Sequence, residues 1–162
     1  MEFALVAAPL MLMLFGILEL AMVFLLASTL ENATSTVART IRTGQAQGGG
    51  ATATSIRDSI CTNLNWLLMS QCQSNLSVDV RTFTQFNNPA APSPINKGKF
   101  DSSALMYSPG NPGDIVLVRA FYKWTLFTPL LTGALANLDN GVTLLTAATT
   151  FKNEPYAGGA TP

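Results

Sequence analysis

The hydrophobic positions at the start of this chain are nearly continuous. From Phe3 to Leu30 there are 28 residues with a single charge, at Glu19. As a helix rising ~1.5 Å per residue, this run would be about 42 Å long, whereas the hydrocarbon core of a bilayer is ~30 Å thick. Its fifteen Leu, Ile, Val and Phe residues outweigh the cost of placing one carboxylate in lipid. The pattern therefore predicts an N-terminal helix that can insert into a membrane.

The pattern changes after Leu30 but keeps the helical period. Apolar residues recur three or four positions apart among polar ones, at Ala33, Val37, Ala38 and Ile41. We therefore expect one helix to continue as an amphipathic rod and to end at Gly44, ahead of glycines 48–50, which we interpret as a hinge. The amphipathic half needs a surface to pack on, and the C-terminal part of the same chain is the natural candidate.

A second helix is predicted after the glycines, with Thr54 or Ser55 as its cap. Its apolar residues fall on one face, at Ile56, Ile60, Leu64, Leu67 and Leu68. Cys61 lies in this helix and Cys72 just after it. In an exported domain, two such cysteines predict a disulfide worth about 3 kcal/mol for so short a loop. A metal site is the weaker alternative, because two thiols without histidine make a poor one.

Three strands are predicted in the remainder of the chain. Alternating or β-branched residues mark them near 76–81, 115–126 and 142–151, and the last is entered through the turn signal Asn140-Gly141. A short helix is expected at 130–138. The fold class is thus α+β: a long N-terminal hydrophobic helix as a spine, and a small C-terminal head that contains a second helix and an antiparallel sheet, like a type IV pilin.

We expect four regions along the chain. Residues 1–43 would form the transmembrane or filament-core helix, 44–51 the glycine-rich hinge, 52–156 the head, and 157–162 a flexible tail. Within the head, residues 87–113 carry five prolines and no clear period. We expect this segment to be a loop on the outer face of the head, away from the first helix, because a buried loop would leave backbone polar groups unpaired. A loop that merely packs over the sheet is the alternative to a binding role.

The composition argues against an enzyme. The chain has no histidine, which removes the common nucleophile–base pairs and most zinc sites, and its few carboxylates are scattered. The glycines at 48–50 lack the lysine and hydroxyl residue of a phosphate-binding loop. The net charge is zero, with nine basic and nine acidic residues, so nothing suggests nucleic-acid binding. We therefore predict no catalytic residues, no metal and no cofactor.

The basic residues after the apolar run and the composition of the rest of the chain predict opposite orientations in the membrane. Arg39 and Arg42 follow the run, which by the positive-inside rule would place its C-terminal side in the cytoplasm. The two cysteines and the Pro/Gly-rich loop favour an extracytoplasmic head instead. We expect the second arrangement, with a basic leader upstream of Met1 that sets the topology and is then removed. A single-pass anchor or an uncleaved signal sequence is the simpler alternative.

Three stretches of the first helix carry a resemblance to a known family. They are MEFALVAAP at residues 1–9, LFGILEL at 14–20 and LENA at 30–33, with a weaker echo in KNEPY at 152–156. With these motifs the chain resembles the TadE-like proteins of tight-adherence pili over roughly residues 1–43. The resemblance implies a pilin-like protein that crosses the membrane once and is processed by a prepilin peptidase.

We predict that the apolar helix is the surface through which subunits assemble. The candidate assembly residues are Glu2, Phe3, Leu5, Leu12, Phe15, Glu19, Leu20 and Phe24. Glu2 could pair with the α-amino groups of neighbouring subunits, although it could equally lie solvated at the membrane surface. Glu19 lies about 100° around the helix from Glu2, so the two acids cannot share one seam. Glu19 could be protonated, or it could accept a hydrogen bond from a neighbour's backbone.

The predicted function is structural. The chain would polymerise through this helix into an extracellular pilus for surface attachment, with copies of itself, other pilins and the assembly machinery as partners. It would lie in the bacterial inner membrane before assembly and in the filament afterwards. The alternative is a membrane-anchored periplasmic assembly or scaffold protein that is never polymerised.

Overall fold

The computed structural model describes residues 2–68, 71–86 and 91–156. In this part of the chain the helices are α1 (Glu2–Arg42), α2 (Gln45–Gly48), α3 (Ala53–Leu68), α4 (Cys72–Asn75) and α5 (Pro129–Leu135). The strands are β1 (Leu76–Phe83), β2 (Ile95–Asn96), β3 (Lys99–Phe100), β4 (Ile115–Thr125) and β5 (Val142–Lys152). The predicted α+β fold, a long apolar helix with a small head, is confirmed. The predicted tail at 157–162 lies outside the described residues.

Helix α1 runs without a break from the apolar region into the amphipathic one. One face of its second half is buried in the head, through Leu26, Leu30, Ala33, Val37, Ala38 and Ile41. The helix ends at Arg42, two residues before Gly44, which has a φ of +77°. A side chain at Gly44 would have its Cβ 2.2 Å from the ring of Tyr156. Glycine is therefore needed here both for its backbone conformation and for the close approach of the C-terminal segment.

The glycine-rich segment after α1 contains a short helix. Residues 45–48 form α2, and the side chain of Ala46 is buried against the core. The amide of Ala51 donates to the carbonyl oxygen of Ala46 at 2.8 Å, which closes the turn through the glycines. That this segment acts as a hinge stays a prediction.

Helix α3 packs beside α1 and buries the predicted face, where Ile56, Ile60 and Leu64 have almost no exposed surface. The side chains of Leu67 and Leu68 fall outside the described ones. The predicted cap was wrong: Thr52 caps the helix, because its Oγ1 accepts from the amide of Ser55 at 3.3 Å while the Ser55 hydroxyl accepts from the Thr52 amide at 2.8 Å. This reciprocal pair satisfies two of the amides that a helix start leaves free.

A disulfide links Cys61 to Cys72, as the sequence predicts, with their Cα atoms 5.6 Å apart. Both cysteines belong to the hydrophobic core, and Cys72 opens helix α4, which leads directly into β1. The bond therefore ties α3 to the start of the sheet.

Three strands form an antiparallel sheet in the order β1–β4–β5, with β4 in the centre. Their bounds lie within two residues of the predicted strands. Alternate residues of β4 face the helices and are almost fully buried: Val116, Val118, Ala120 and Tyr122. The hydrophobic core therefore lies between this face of the sheet and helices α1 and α3.

The opposite face of the sheet is covered by the proline-rich segment. Arg119 and Phe121 of β4 face this side, where Arg119 donates to the carbonyl oxygen of Pro92 at 3.1 Å and the ring of Phe121 lies 5.9 Å from that of Phe100. Pro92 and Phe100 thus lie over this face of the sheet, away from α1, as expected for the proline-rich segment. Residues 106–108 instead lie beside the edge strand β1, where the Val80 amide donates to the Met106 carbonyl oxygen at 2.9 Å and Tyr107 packs against the hydrophobic core. Residues 109–110 depart from that expectation, because the Pro109 carbonyl oxygen accepts from the Gln47 side chain of α2 at 3.1 Å.

A two-stranded hairpin, β2–β3, lies within this segment, and the sequence patterns did not predict it. Its turn places Lys97 at a φ of +49° and Gly98 at +76°. A polar residue followed by glycine is the usual signal for such a turn, but the two-residue strands are too short to show an alternating pattern.

The connection from β4 to β5 follows the sequence pattern. Helix α5 lies at Pro129–Leu135, somewhat shorter than predicted, and the Asn140-Gly141 turn adopts positive φ at both residues before β5 begins.

Candidate assembly surface

The first half of α1 presents a continuous apolar surface that the described part of the chain leaves uncovered. Its exposed large side chains are Phe3, Val6, Leu10, Met11, Leu12, Met13, Leu14, Phe15, Ile17, Leu18, Leu20, Met22, Phe24 and Leu25. Within the described ranges, Val6–Arg42 is the one helical stretch that is long and apolar enough to cross a membrane. An exposed apolar patch of this extent marks a surface that contacts lipid or protein.

Five of the predicted assembly residues lie on this surface: Phe3, Leu12, Phe15, Leu20 and Phe24. Glu2 and Leu5 lie in α1, but their side chains fall outside the described ones. Contacts between subunits at any of these residues stay a prediction.

Glu19 lies inside its own chain instead of on the exposed surface. Its side chain has no exposed area, and its two carboxyl oxygens accept hydrogen bonds from the amides of Phe127 at 2.8 Å and Thr128 at 2.9 Å. A carboxyl group among apolar residues is costly unless it is hydrogen-bonded, and these two donors supply the bonds. The partner that the sequence left open is therefore the backbone of the head, whereas a role of Glu19 between subunits stays a prediction.

The residues that hold Glu19 form a tight bend between β4 and α5. We call residues 126–131 the corner. Gly16, one turn before Glu19, faces Leu131 of the corner, and an added Cβ there would make an ordinary contact with the Leu131 side chain at 4.0 Å. Phe127 remains 62% exposed and, with Leu12, Phe15 and Thr128, lines an apolar notch of about 350 Å³. The apolar surface of α1 therefore continues onto the head through Phe127.

A second contact fixes the other end of α1 to the head. The Arg42 guanidinium lies 2.9 Å from the Glu154 carboxylate, and the Glu154 amide donates to the Arg42 carbonyl oxygen at 2.9 Å. From Glu19 to Arg42 the helix rises about 35 Å, which matches the ~34 Å of an eleven-residue strand such as β4. The head is thus attached to α1 at both ends of the sheet.

Three charged groups of the head, Asp79, Arg81 and Arg119, meet on the outer face of the sheet. The Asp79 carboxylate accepts from Arg81 at 2.8 Å, from Arg119 at 2.6 Å and from the Met106 amide at 2.8 Å. Burial alone would raise the pKa of Asp79, but these bonds outweigh it and hold the pKa below its usual value. Arg81 also donates to the carbonyl oxygen of Ala104. The cluster therefore fastens residues 104–106 to the sheet.

The bonds at Glu19, Arg42 and Asp79 all join one part of the fold to another. Within residues 2–68, 71–86 and 91–156, no group of three histidine, cysteine or carboxylate side chains could hold a metal ion. Sequence reasoning found the apolar surface and the disulfide, but it did not find the corner. Two features of the sequence could have pointed to the corner. No charged residue occurs from Trp124 to Leu138, and α1 contains a single acid within its apolar run that needs a polar partner.

Comparison with known proteins confirms the family resemblance. The profile of the family described as TadE-like protein matches residues 1–39, which are the apolar part of α1 and most of its amphipathic part. No curated protein and no solved structure is significantly similar to the chain. Over residues 1–39 the chain is therefore similar to this pilus-related family, and the apolar helix is consistent with a membrane anchor.

Proposed function

We propose that this chain, with its TadE-like N-terminal helix, is a pilin-like subunit of a tight-adherence pilus that polymerises through α1. In the proposal, the exposed apolar half of α1 lies in the membrane before assembly and packs against copies of itself, or other pilins, in the filament core. Residues 52–156 form the head on the outside of the filament, and 44–51 connect the two.

The observation that carries this proposal is the difference between the two halves of α1. From Leu26 to Ile41 one face is buried in the head, whereas large apolar residues are exposed from Phe3 to Leu25, and from Leu10 to Phe15 they are exposed all around the helix. A membrane anchor alone needs the apolar half but does not need it joined without a break to a helix on which the head is built. The continuous helix supports a subunit whose head is held rigidly while its apolar half changes surroundings.

The direct experiment is to shear the surface filaments from cells and to probe them with an antibody against the head. The proposal expects decoration along the filament and recovery of this chain in the sheared fraction. If the chain remains entirely in the membrane fraction while filaments form normally, the alternative of a membrane-anchored assembly or scaffold protein is correct.

The variant Glu2→Ala separates insertion from polymerisation. Insertion depends on the apolar residues, so the amount of chain in the membrane should be unchanged. If Glu2 pairs with the N-terminus of a neighbouring subunit, incorporation into sheared filaments should fall at least tenfold. A variant that is incorporated as well as the parent would show that Glu2 is a solvated end residue.

A further inference from the structure

We propose that the corner, residues 126–131, is seated in the lipid bilayer when the chain is membrane-anchored, with Phe127 among the acyl chains of the leaflet nearest the head. The proposal rests on the membrane-anchored stage of the proposed function and does not depend on polymerisation. The lower edge of the head would then be a second membrane contact beside α1.

The first argument comes from the height of the apolar surface on α1. Exposed apolar side chains continue beyond Glu19 to Phe24, which is 76% exposed, and Leu25. The first exposed polar residue after them is Ser28. If lipid covers α1 as far as Leu25, the hydrocarbon boundary lies about 9 Å beyond Glu19 along the helix. The corner is hydrogen-bonded to Glu19, so it lies within that boundary.

The second argument comes from the composition of the corner and of α5 after it. No charged residue occurs from Trp124 to Leu138, and Phe127 points outward. A soluble head has no need to expose an aromatic side chain at this bend. In lipid, the same side chain loses water-exposed apolar area, which stabilises the seated position.

The third argument concerns the backbone, since unpaired amides are costly in lipid. The amides of Phe127 and Thr128 donate to Glu19, and the amide of Leu126 donates to the Gly141 carbonyl oxygen at 3.0 Å. The amide of Leu131 donates to the Thr128 carbonyl oxygen at 3.0 Å. Glu19 thus acts as a polar partner that permits a bend of the head to enter an apolar medium.

Basic side chains lie at the same end of the sheet as the corner, together with the exposed Asp139. Lys123 precedes the corner in β4, and its Nζ lies 5.9 Å from the ring of Phe100 in the β2–β3 hairpin. Lys97 and Lys99 of that hairpin are exposed, and its Gly98 carbonyl oxygen accepts from the Asp139 amide at 2.8 Å. Lysines at the edge of an apolar zone can reach the headgroups with their charged ends.

The test measures the depth of a fluorescent label in vesicles. Because the native cysteines are paired, a single added cysteine can be labelled with an environment-sensitive nitrobenzoxadiazole group. The label is placed at Phe127→Cys and, on α5, at the exposed Ala134→Cys. The matched control is Phe86→Cys, another exposed phenylalanine, which follows β1 at the opposite end of the sheet. Leu20→Cys reports whether α1 itself is inserted.

The full chain is reconstituted at high dilution in vesicles of phosphatidylethanolamine and phosphatidylglycerol that contain acyl-chain nitroxide quencher. The proposal expects quenching at position 127 severalfold greater than at position 86, with position 134 following 127. Quenching at 20 with none at 127 and 134 would overturn the proposal while leaving membrane anchoring intact. Shielding of position 127 from aqueous iodide that appears only at high protein density would also overturn it, because a second copy would then cover Phe127. Absence of quenching at 20 would contradict both proposals.

Discussion

Glu19 illustrates how a single acid can be accommodated in an apolar helix. In the sequence it is the one charge in 28 residues, and such an acid is expected to be functional. In the structure its two oxygens bind consecutive amides at the end of β4, so the side chain joins two elements that are more than one hundred residues apart in sequence. Its position is explained by the architecture of the subunit before any contact between subunits is considered.

Replacing Glu19 with leucine should release the corner. The amides of Phe127 and Thr128 would lose their acceptors, and in detergent micelles their hydrogen exchange should become at least tenfold faster. Glu19→Gln keeps one carbonyl acceptor and should give an intermediate rate. Arg42→Ala removes the ion pair at the opposite attachment of the head and serves as the control, because it should leave these two amides protected. Unchanged protection in Glu19→Leu would show that the corner is held by packing alone.

Asp79 should make the stability of the head sensitive to acid. Its pKa is lowered in the folded state, so its contribution is present above the unfolded value of about 3.9 and is lost as the pH falls through the folded value. We expect the unfolding temperature to fall below about pH 4. Asp79→Asn should destabilise the head by about 3–5 kcal/mol at neutral pH, since Arg119 would remain buried without its counter-charge.

The same variant should have a flatter profile than the parent between about pH 5 and pH 2, because the titrating group is gone. Asp101→Asn is the control: Asp101 also has a lowered pKa, caused by bonds from Ser103, but it lies at the surface. Its removal should change the acid profile much less. An identical acid profile in Asp79→Asn and in the parent would contradict the role assigned to Asp79.

At the scale of elements, the long helix and the three sheet strands could be predicted because their patterns are long. A nearly continuous apolar run of 28 residues, a helical stripe to Ile41, and three runs of alternating or β-branched residues leave few alternatives. The elements that were missed or misplaced are short or depend on distant residues. The β2–β3 hairpin has four paired residues, and the cap at Thr52 depends on a reciprocal bond with Ser55. The corner was missed because its hydrogen bonds reach a residue near the other end of the chain, and the uncharged stretch from Trp124 to Leu138 is the one local sign of it.

The disulfide between Cys61 and Cys72 joins α3 to the sheet across a separation of eleven residues. Replacing both cysteines with serine should lower the free energy of unfolding by about 3 kcal/mol, mainly because the unfolded chain gains freedom. Urea unfolding of the two proteins measures this difference. Thiol labelling of the unfolded, unreduced parent is the companion experiment, and two reactive thiols per chain would show that the bond is not formed.

At the scale of the whole molecule, one continuous helix joins the exposed apolar surface to the head. The first half of α1 carries the apolar surface, and the head packs on its second half. Attachments at Glu19 and at Arg42 hold the sheet alongside the second half of α1. The proline-rich segment lies mainly on the far side of the sheet, where it packs against Arg119 and Phe121. Any force applied to the head of an assembled subunit would therefore pass to α1 along its buried face, from Leu26 to Ile41, and through these two attachments. This arrangement suits a subunit that must keep one orientation on a helical spine.

An epitope inserted in the segment from 91 to 107 would show whether the far side of the sheet faces outward in an assembled filament. Lys97 is exposed at the tip of the hairpin and takes part in no element of the core. An epitope inserted after Lys97 should therefore leave the head folded and be accessible to antibody on intact filaments. An insertion between Pro92 and Pro94, in contrast, should disturb the bond from Arg119 to Pro92. Failure of the antibody to bind an otherwise intact filament would place this surface at a subunit interface.

The central claim is that the apolar surface of α1 is covered by the same surface of neighbouring subunits after assembly. The most direct measurement is oxidative crosslinking in sheared filaments of a chain with one added cysteine at Leu20, on α1, compared with one at Ser59, exposed on α3. The account predicts a disulfide-linked dimer for Leu20→Cys, which is the largest species that one added thiol per chain can form, and only monomer for Ser59→Cys. If Leu20→Cys yields only monomer in filaments that contain the chain, α1 is not the surface through which the subunits assemble.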